Sequence, residues 1–373
     1  MSSTVAFTTA AEAVTSTVSS ATLYQHSVLW ALILGVVLAF LLGAGMGSND
    51  VANAFGTSVG SGALSITKAY ILASIFETLG VVLVGWSVTD TMRKGVVDTN
   101  MFENSPKEFL LGQVAVLGGC AAWLFIATVL HMPVSTSHSL VGSTLGFSLV
   151  LRGFHGIRWR KIVEIVASWF ISPLLSGAIS VILYMIVDFA VLRRNRPLSC
   201  GLRALPIFYF VCIAFNVMMV TWDGSKLLHF NKIPWWGALL ISLVVGFLAG
   251  LIVKFFVNPS IKRKIEPICT GLWILGHRVI RTVGTNMSHV NPASGFTIEF
   301  GAAMTALLAS KIGLPISTTH CLVGSVVAVG TVKSGEGVKW KLFGGIATSW
   351  VVTLPVAGMI SAAIMFLLKW IAL

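Results

Sequence analysis

Long apolar segments without any Asp, Glu, Lys or Arg recur along the whole chain, and short polar connectors separate them. They cover residues 13–49, 109–151, 165–187, 204–222, 233–253, 312–332 and 342–368. A helix needs roughly 20 apolar residues to cross the hydrocarbon core of a bilayer, and each segment reaches about that length. The pattern predicts an all-α polytopic membrane protein with about ten membrane segments.

The segment 109–151 is too long for a single crossing. As one helix its 43 residues would reach about 65 Å, which is twice the hydrocarbon thickness. Pro133 divides it, because proline lacks the N–H group that an uninterrupted helix needs. We therefore predict a full-length arm over 109–131 and a short arm over 138–151, joined as a re-entrant hairpin.

The sequence around this break occurs twice. The phrase PVSTSHSLVGS at 133–143 returns as PISTTHCLVGS at 315–325, 182 residues later, with eight of eleven positions identical. Ser and Thr are favoured helix N-caps, so each phrase predicts a helix break followed by a new helix start. The second copy predicts an arm over 296–313, a short arm over 321–332 and a closing span over 342–371. Interrupted segments at matching positions of repeated halves are typical of a transporter's binding site.

The rest of the chain divides around these repeats. We predict a flexible tail (1–27), a first repeat (28–192), connecting spans with a polar junction (193–267) and an incomplete second repeat (268–373). Further spans are expected at 29–46, 69–86, 163–189, 204–222 and 234–257. Six glycines between 43 and 62 predict an unwound polar element, because each glycine costs a helix about 1 kcal/mol relative to alanine.

Composition and charge exclude several classes of protein. The chain is 56% hydrophobic and 10% charged, whereas about a quarter of a soluble domain is charged. The net charge of +12 lies mainly in connectors at 152–161, 193–203 and 254–264, where the positive-inside rule places Lys and Arg beside membrane lipid. The sequence has no basic stripe interleaved with aromatic residues, so it does not indicate a nucleic-acid partner. Five cysteines without metal spacing indicate free thiols, and nothing outside the repeats indicates an enzyme or a cofactor.

Three acidic residues lie at predicted membrane depth, where an ionised side chain is costly and therefore a candidate functional group. Asp50 stands between Asn49 and Asn53, and this set of carboxylate and amide oxygens suits Na⁺ or H⁺. Glu77 lies near the middle of a predicted span, and Glu299 lies in the arm before the second break. We predict a cation site at Asp50, Asn53 and Glu77, with both Na⁺ and H⁺ open as the cation. The alternative for Asp50 is a solvated aspartate in a loop. The alternative for Glu77 and Glu299 is a structural pair at a helix end.

Each repeated phrase also carries three hydroxyl residues in a row, which can donate to a tetrahedral oxyanion at a helix N-terminus. They are Ser135, Thr136, Ser137, Ser317, Thr318 and Thr319. Ordinary capping is the alternative, although capping needs only one hydroxyl per break. A proton-carrying role and a capping role both stay open for His138 and His320. No predicted span core holds a Lys or Arg, so an anion bound beside buried carboxylates must arrive with cations.

Several motifs together resemble the inorganic phosphate transporter family. They are GSNDVANAFG at 47–56, ASIFET at 73–78, the two repeated phrases, ASWFISPLLSG at 167–177 and GLRALP at 201–206. The resemblance implies a sodium-coupled inorganic phosphate symporter of the animal branch, some members of which are retrovirus receptors. It further implies an inverted repeat with two re-entrant hairpins, alternating access, a plasma-membrane location and a homodimer. By the same resemblance, the first-copy ion and phosphate positions are Asn49, Asp50, Asn53 and Glu77, with sodium at Asp50, Asn53 and Glu77. Glu299 takes the acidic ion position of the second half, and the six hydroxyl residues lie in the hairpin tips that hold phosphate.

The second half departs from the family pattern. The family carries a second Gly-Asn-Asp element, whereas this chain has Gly-Thr-Asn at 284–286 and passes from 262–264 almost directly into 271–280. The long hydrophilic central loop of animal members and the span that follows it are missing, which indicates one internal deletion. A non-transporting membrane receptor or an inactive isoform is therefore the alternative function.

Overall fold

The computed structural model describes residues 2–60, 63–81, 96–130, 132–222, 224, 228–261, 291–311, 316–333 and 337–372, with the backbone alone at 2–25, 52, 53, 60 and 231. The α-helices in these ranges are α1 (Ser2–Gly60), α2 (Ile66–Gly80), α3 (Pro106–Val129), α4 (Thr136–Arg152), α5 (Trp159–Val187), α6 (Pro197–Thr221), α7 (Trp235–Ile252), α8 (Pro292–Lys311), α9 (Thr318–Val332) and α10 (Trp340–Ala372). Short 3₁₀ helices cover Thr99–Phe102, Gly153–Gly156 and Phe230–Lys232. π-Helical turns extend α5 over Asp188–Leu192 and α7 over Val253–Val257. These described ranges contain no strand, although one isolated bridge pairs Val97 with Ile157.

Six helical stretches among the described residues are long and apolar enough to cross a membrane. They are His26–Val59, Pro106–Val129, Trp159–Leu192, Pro197–Thr221, Trp235–Ile261 and Trp340–Ala372. The predicted all-α class is confirmed, and the chain is an integral multi-pass membrane protein. The predicted total of about ten segments exceeds these six. The other four predicted segments, at 69–86, 138–151, 296–313 and 321–332, correspond to α2, α4, α8 and α9, which are not among the six.

Helix α1 runs without interruption through two segments for which the sequence predicts irregular chain. It includes the predicted tail from Ser2 onward and continues through five of the six glycines between 43 and 62. The predicted unwinding is therefore wrong over 43–60. Helix propensity is a weak determinant there, because backbone hydrogen bonds in an apolar environment must be made within the segment itself. The tail has no Gly or Pro before Gly35, so nothing in it interrupts a helix.

Both predicted helix breaks are present. The long α3 and the 17-residue α4 flank the first break, and α8 and the 15-residue α9 flank the second. We call residues 133–138 the first tip and residues 315–320 the second tip; the structure describes 316–320 of the latter. A full-length arm followed by a short arm thus occurs in each repeat, as the sequence predicts.

The two repeats interlock through their short arms. Helix α4 of the first repeat packs along α10 of the second, and α9 of the second packs along α5 of the first. At both contacts the glycine of the repeated phrase meets the backbone of the other repeat, Gly142 at Leu354 and Gly324 at Pro173. A Cβ atom at Gly324 would lie 2.6 Å from Pro173 Cβ, which is closer than real carbon contacts. Small residues here allow the helices to approach closely.

The segment before α3 caps one end of this bundle. Val97 and Phe102 are buried in the same apolar cluster as the cores of α3 and α4. Arg152, the last residue of α4, holds the segment in place, since its guanidinium pairs with Glu108 at 2.6 Å and donates to Ser105 Oγ at 2.6 Å. The same guanidinium lies 4.6 Å from the centroid of the Phe102 ring.

Candidate functional site

The two helix starts in the repeated phrases have nearly the same geometry. Ser135 caps α4 with φ −96° and ψ 120°, and Ser317 caps α9 with φ −97° and ψ 123°. Each serine Oγ accepts from the backbone N–H three residues further on, at His138 and at His320, both at 3.4 Å. Capping, the alternative role for the hydroxyl groups, therefore applies to the first serine of each phrase.

Both helix starts open into one cavity of about 440 Å³. Five of the six predicted phosphate residues line it: Ser135, Thr136, Ser137, Thr318 and Thr319. The sixth, Ser317, is buried in the second tip and is not among the lining residues. Asp50 enters the wall from α1, and Gln113 and Thr144 add polar groups to an otherwise largely apolar lining. Among the described residues of this wall, Asp50 is the one with a formal charge.

Asp50 is held against the first tip, and the second tip reaches the same place. Thr136 Oγ1 donates to Asp50 Oδ2 at 2.9 Å, across 86 positions of sequence. Thr319 Oγ1 donates to the carbonyl of Val134 at 3.5 Å, across 185 positions. The structure thus brings Asp50 and both tips together, as the repeated phrases predict.

Asn49, the neighbour of Asp50, contacts the first hairpin rather than the cavity. Its Nδ2 donates to Thr128 Oγ1 at 3.3 Å and to the carbonyl of Met132 at 3.1 Å. Its Oδ1 accepts from the Val134 N–H at 3.1 Å. The side chain is buried, and all three partners belong to the end of α3 or to the break that follows it.

Glu299 and Glu77 are not among the residues that line the cavity. Glu299 on α8 accepts a hydrogen bond from the hydroxyl of Thr57, which lies seven residues, about two turns of α1, beyond Asp50. Glu77 is exposed on α2. The side chain of Asn53 lies outside the described residues. The structure therefore relates Asp50 and Glu299 through one helix and does not place Glu77 in the wall.

His138 and His320 pack against each other behind the two caps. Their ring centroids are 4.4 Å apart with an interplanar angle of 79°. Each ring also packs on a tryptophan, His138 on Trp169 at 4.2 Å and His320 on Trp350 at 3.8 Å. Within the described residues, no hydrogen bond reaches His138 Nδ1 or either ring nitrogen of His320. The backbone N–H of each histidine is bonded to its cap, while the side chains form a buried aromatic stack.

Besides Gln113 and Thr144 in the wall, sequence reasoning missed four residues that the structure places around the site: Thr57, Thr128, Trp169 and Trp350. The two tryptophans lie in segments that match loosely between the repeats, at 159–177 and 340–358, and that match was the available signal. Thr57 follows Asp50 at the spacing of one helical face, but the predicted unwinding of 43–62 concealed this relation. Thr128 has no sequence signal, since its role depends on where α1 packs.

Comparison with known proteins adds to this geometry. The sequence model of the family described as "Phosphate transporter family" matches residues 46–266 and 244–361, which together cover most of the chain. The chain belongs to the phosphate transporter family. This confirms the resemblance that the motifs indicate, and the family is one of transporters rather than enzymes.

Individual relatives are similar over part of their length. "Sodium-dependent phosphate transporter 1-A" of Danio rerio is 42% identical over 270 residues, 72% of this chain and 41% of that protein. "Sodium-dependent phosphate transporter 1" of Mus musculus is 46% identical over 242 residues, 65% of this chain and 36% of that protein. The chain thus spans about two fifths of the length of these relatives.

A longer match shows that the difference in length arises within the chain. "Sodium-dependent phosphate transporter 2" of Felis catus is 27% identical over 642 aligned positions, which cover 92% of this chain and 98% of that protein. Because 642 positions exceed the 373 residues of this chain, the alignment opens gaps within it, in agreement with the predicted internal deletion. A solved structure described as "The sodium-dependent phosphate transporter" superposes with a TM-score of 0.76 at 29% identity, covering 91% of this chain and 99% of that one.

Proposed function

We propose that this chain is a sodium-coupled symporter of inorganic phosphate that works by alternating access, with phosphate bound between the two tips. The observation that carries the proposal is the cavity at which two capped helix starts and Asp50 meet. The sodium-dependent phosphate transporters to which the chain is similar support the choice of substrate and coupling ion.

Phosphate is assigned to the hydroxyl groups that line the cavity, Ser135, Thr136, Ser137, Thr318 and Thr319. A tetrahedral oxyanion accepts hydrogen bonds from several directions, and hydroxyl groups from two sides of a cavity can supply them. The starts of α4 and α9 add backbone N–H groups and the positive ends of two helix dipoles. Ser317 contributes by capping α9, so that its first turn keeps the geometry of the equivalent turn in α4.

Charge balance supports sodium as the accompanying cation. The described residues of the wall include no Lys or Arg, and Asp50 contributes a carboxylate. Phosphate alone would add negative charge beside this group at membrane depth, where uncompensated charge is costly. We assign sodium to the Asp50 carboxylate and to Glu299, which Thr57 contacts. Asn53 and Glu77 stay sequence-based predictions of ion ligands.

The cellular setting rests on the family resemblance. A plasma-membrane location and a homodimeric assembly are expectations of this kind, and the receptor or inactive-isoform reading is the competing function. The competing function rests on the part of the relatives' sequence that is missing from this chain.

Uptake by the purified chain in proteoliposomes tests the proposal. We expect an inward sodium gradient to drive accumulation of radiolabelled phosphate, and we expect choline in place of sodium, or Asp50→Asn, to abolish it. Asp188→Asn is the matched control, because Asp188 pairs with Arg193 in the π-helical turn after α5 and no residue of that turn lines the cavity; its uptake should stay within twofold of wild type. Equal flux with sodium and a proton gradient both removed would contradict cation coupling. Uptake at the level of empty liposomes for wild type and Asp50→Asn alike would favour the receptor or inactive isoform.

A further inference from the structure

We propose that Asn49 is a positioning residue that holds the first hairpin break in shape, instead of a sodium ligand. The sequence places Asn49 among the ion residues because it stands beside Asp50. The structure gives both polar atoms of its side chain partners within the hairpin. The inference rests on the proposed function for its transport measurements, and a labelling experiment that needs no transport tests it separately.

The break creates a hydrogen-bonding problem that some side chain must solve. Residues 132–134 lie between α3 and α4. The Met132 N–H still donates to the Ala127 carbonyl of α3 at 2.8 Å, whereas the carbonyls of 132–134 and the Val134 N–H lie outside both helical ladders. Val134 is fully buried and stands before the capping serine, while Pro133 has no N–H to donate. An unpaired backbone group at membrane depth costs several kcal/mol, so irregular backbone persists there only when neighbouring groups bond to it.

The carboxamide of Asn49 both donates hydrogen bonds to the break and accepts one from it. Its two N–H groups donate to Thr128 Oγ1 and to the Met132 carbonyl, and its oxygen accepts from the Val134 N–H. Thr128 can accept because its own hydroxyl proton is donated to the Leu124 carbonyl at 2.8 Å. The oxygen that would coordinate a cation is therefore turned toward the backbone of the break.

Other elements complete the bonding of the break at longer distances. Ser349 shares its hydroxyl between the Ile346 carbonyl at 2.7 Å and the Pro133 carbonyl at 3.3 Å. Thr319 reaches the Val134 carbonyl at 3.5 Å. The two bonds from Asn49 to this backbone are both 3.1 Å, so Asn49 makes the shorter contacts.

Position 49 is thereby linked to the proposed phosphate site through the chain itself. Asp50 is the next residue, and it accepts from Thr136, two residues beyond Val134. When the Asn49 bonds are lost, the break can shift along α1 and Thr136 moves relative to the cavity. The expected consequence is weaker phosphate binding, whereas the Asp50 carboxylate stays in place for sodium.

Kinetics of two substitutions separate the two roles. Asn49→Asp keeps an oxygen for a cation but loses both donors, and Asn49→Ala loses all three bonds. We expect both to raise the phosphate KM at least tenfold and to leave the sodium half-saturation within twofold of wild type. Ser48→Ala is the matched control, because that hydroxyl bonds to Ala44 within α1. A shifted sodium half-saturation with an unchanged phosphate KM would overturn the proposal.

Thr128→Val provides a second, independent comparison. It removes one partner of Asn49, and Thr128 lies on α3 and is not among the residues that line the cavity. A shared role predicts that Asn49→Ala combined with Thr128→Val is no worse than Asn49→Ala alone, since the Thr128 bond is already gone. A sodium ligand at position 49 predicts that the two effects on KM multiply.

Accessibility of the break tests the same idea without any uptake. Val134 is fully buried, so Val134→Cys should stay unlabelled by a hydrophilic thiol reagent, with the parent chain and its native cysteines as the baseline. We expect Asn49→Ala to speed this labelling at least tenfold and Ser48→Ala to leave it unchanged. Should Asn49→Ala fail to reach the membrane, Thr128→Val is expected to speed labelling in the same direction. Unchanged labelling in these backgrounds would overturn the proposal, and this result is distinguishable from a failure of transport.

Discussion

The imidazole of His138 packs edge-on against the imidazole of His320, with 4.4 Å between ring centroids. These two residues occupy equivalent positions of the repeated phrase, 182 residues apart, so their contact marks the place where the repeats meet. A tryptophan covers each outer face, Trp169 on one side and Trp350 on the other. Neither histidine is among the residues that line the cavity.

The histidine stack is expected to act through packing. His320→Ala should lower the free energy of unfolding by about 2–4 kcal/mol, because it removes a buried ring, whereas His320→Phe should lose less than half of that. Thermal unfolding of the purified protein in detergent measures both. The proton-carrying role that the sequence leaves open makes a different prediction. Under that role, His320→Phe would fold normally and lose the pH dependence of phosphate uptake.

The glycines of the repeated phrase are expected to be intolerant of a methyl group. Gly324→Ala would place a Cβ against the backbone of Pro173 and should destabilise the protein by about 2 kcal/mol or more. Gly344→Ala is the matched control, because Gly344 lies in α10 with no atom within 4 Å of the added Cβ. That control should be neutral or stabilising by up to about 1 kcal/mol, since alanine is the better helix former. Equal unfolding temperatures for the two variants would contradict the close packing of α9 on α5.

The hydrogen bond between Thr57 and Glu299 is expected to support ion coupling. Thr57→Val removes the donor and should raise the sodium half-saturation of uptake several-fold, while Thr57→Ser keeps the hydroxyl and should stay near wild type. A double-mutant cycle with Glu299→Gln should give a coupling energy of about 1–2 kcal/mol. Thr331→Val serves as the control, since that hydroxyl bonds within its own helix. Identical sodium dependence in Thr57→Val and wild type would remove Thr57 from the ion pathway.

Arg152 is expected to be irreplaceable by lysine. Its guanidinium contacts Glu108, Ser105 and the Phe102 ring at once, and a lysine ammonium cannot reproduce this planar arrangement. Arg152→Lys should therefore cost about 1–2 kcal/mol of unfolding free energy. Arg160→Lys, at a side chain that is 95% exposed, should change it by less than about 0.5 kcal/mol. Chemical or thermal unfolding of the two variants side by side provides the measurement.

The helix order of this protein is largely readable from its apolar segments and its repeated phrase. Pro133 and the following serine predict the break between α3 and α4, because proline and an N-cap act locally, within a few residues of themselves. The same local rules fail at 43–60, where glycine content predicts unwinding and α1 stays helical. There the surroundings of the helix outweigh the preference of each residue.

The partners of the site residues could be predicted only in part. Repetition indicates that both tips serve one site, and the cavity that they share agrees with this. No rule of spacing indicates that Asn49 turns toward Thr128 and Val134 while Asp50 turns toward Thr136. That division depends on the rotation of α1 against α3, which packing of the whole bundle determines.

The bonding of residues 132–134 has a consequence for the order in which the protein can be assembled during synthesis. The carbonyl of Pro133 is contacted by Ser349 and that of Val134 by Thr319, and both side chains are translated long after the hairpin they serve. Until those later helices enter the bilayer, the early hairpin keeps carbonyl groups that hydrocarbon cannot solvate. We therefore expect the first hairpin to stay water-accessible or only partly inserted during synthesis. It reaches its final depth in the bilayer once the C-terminal helices have inserted.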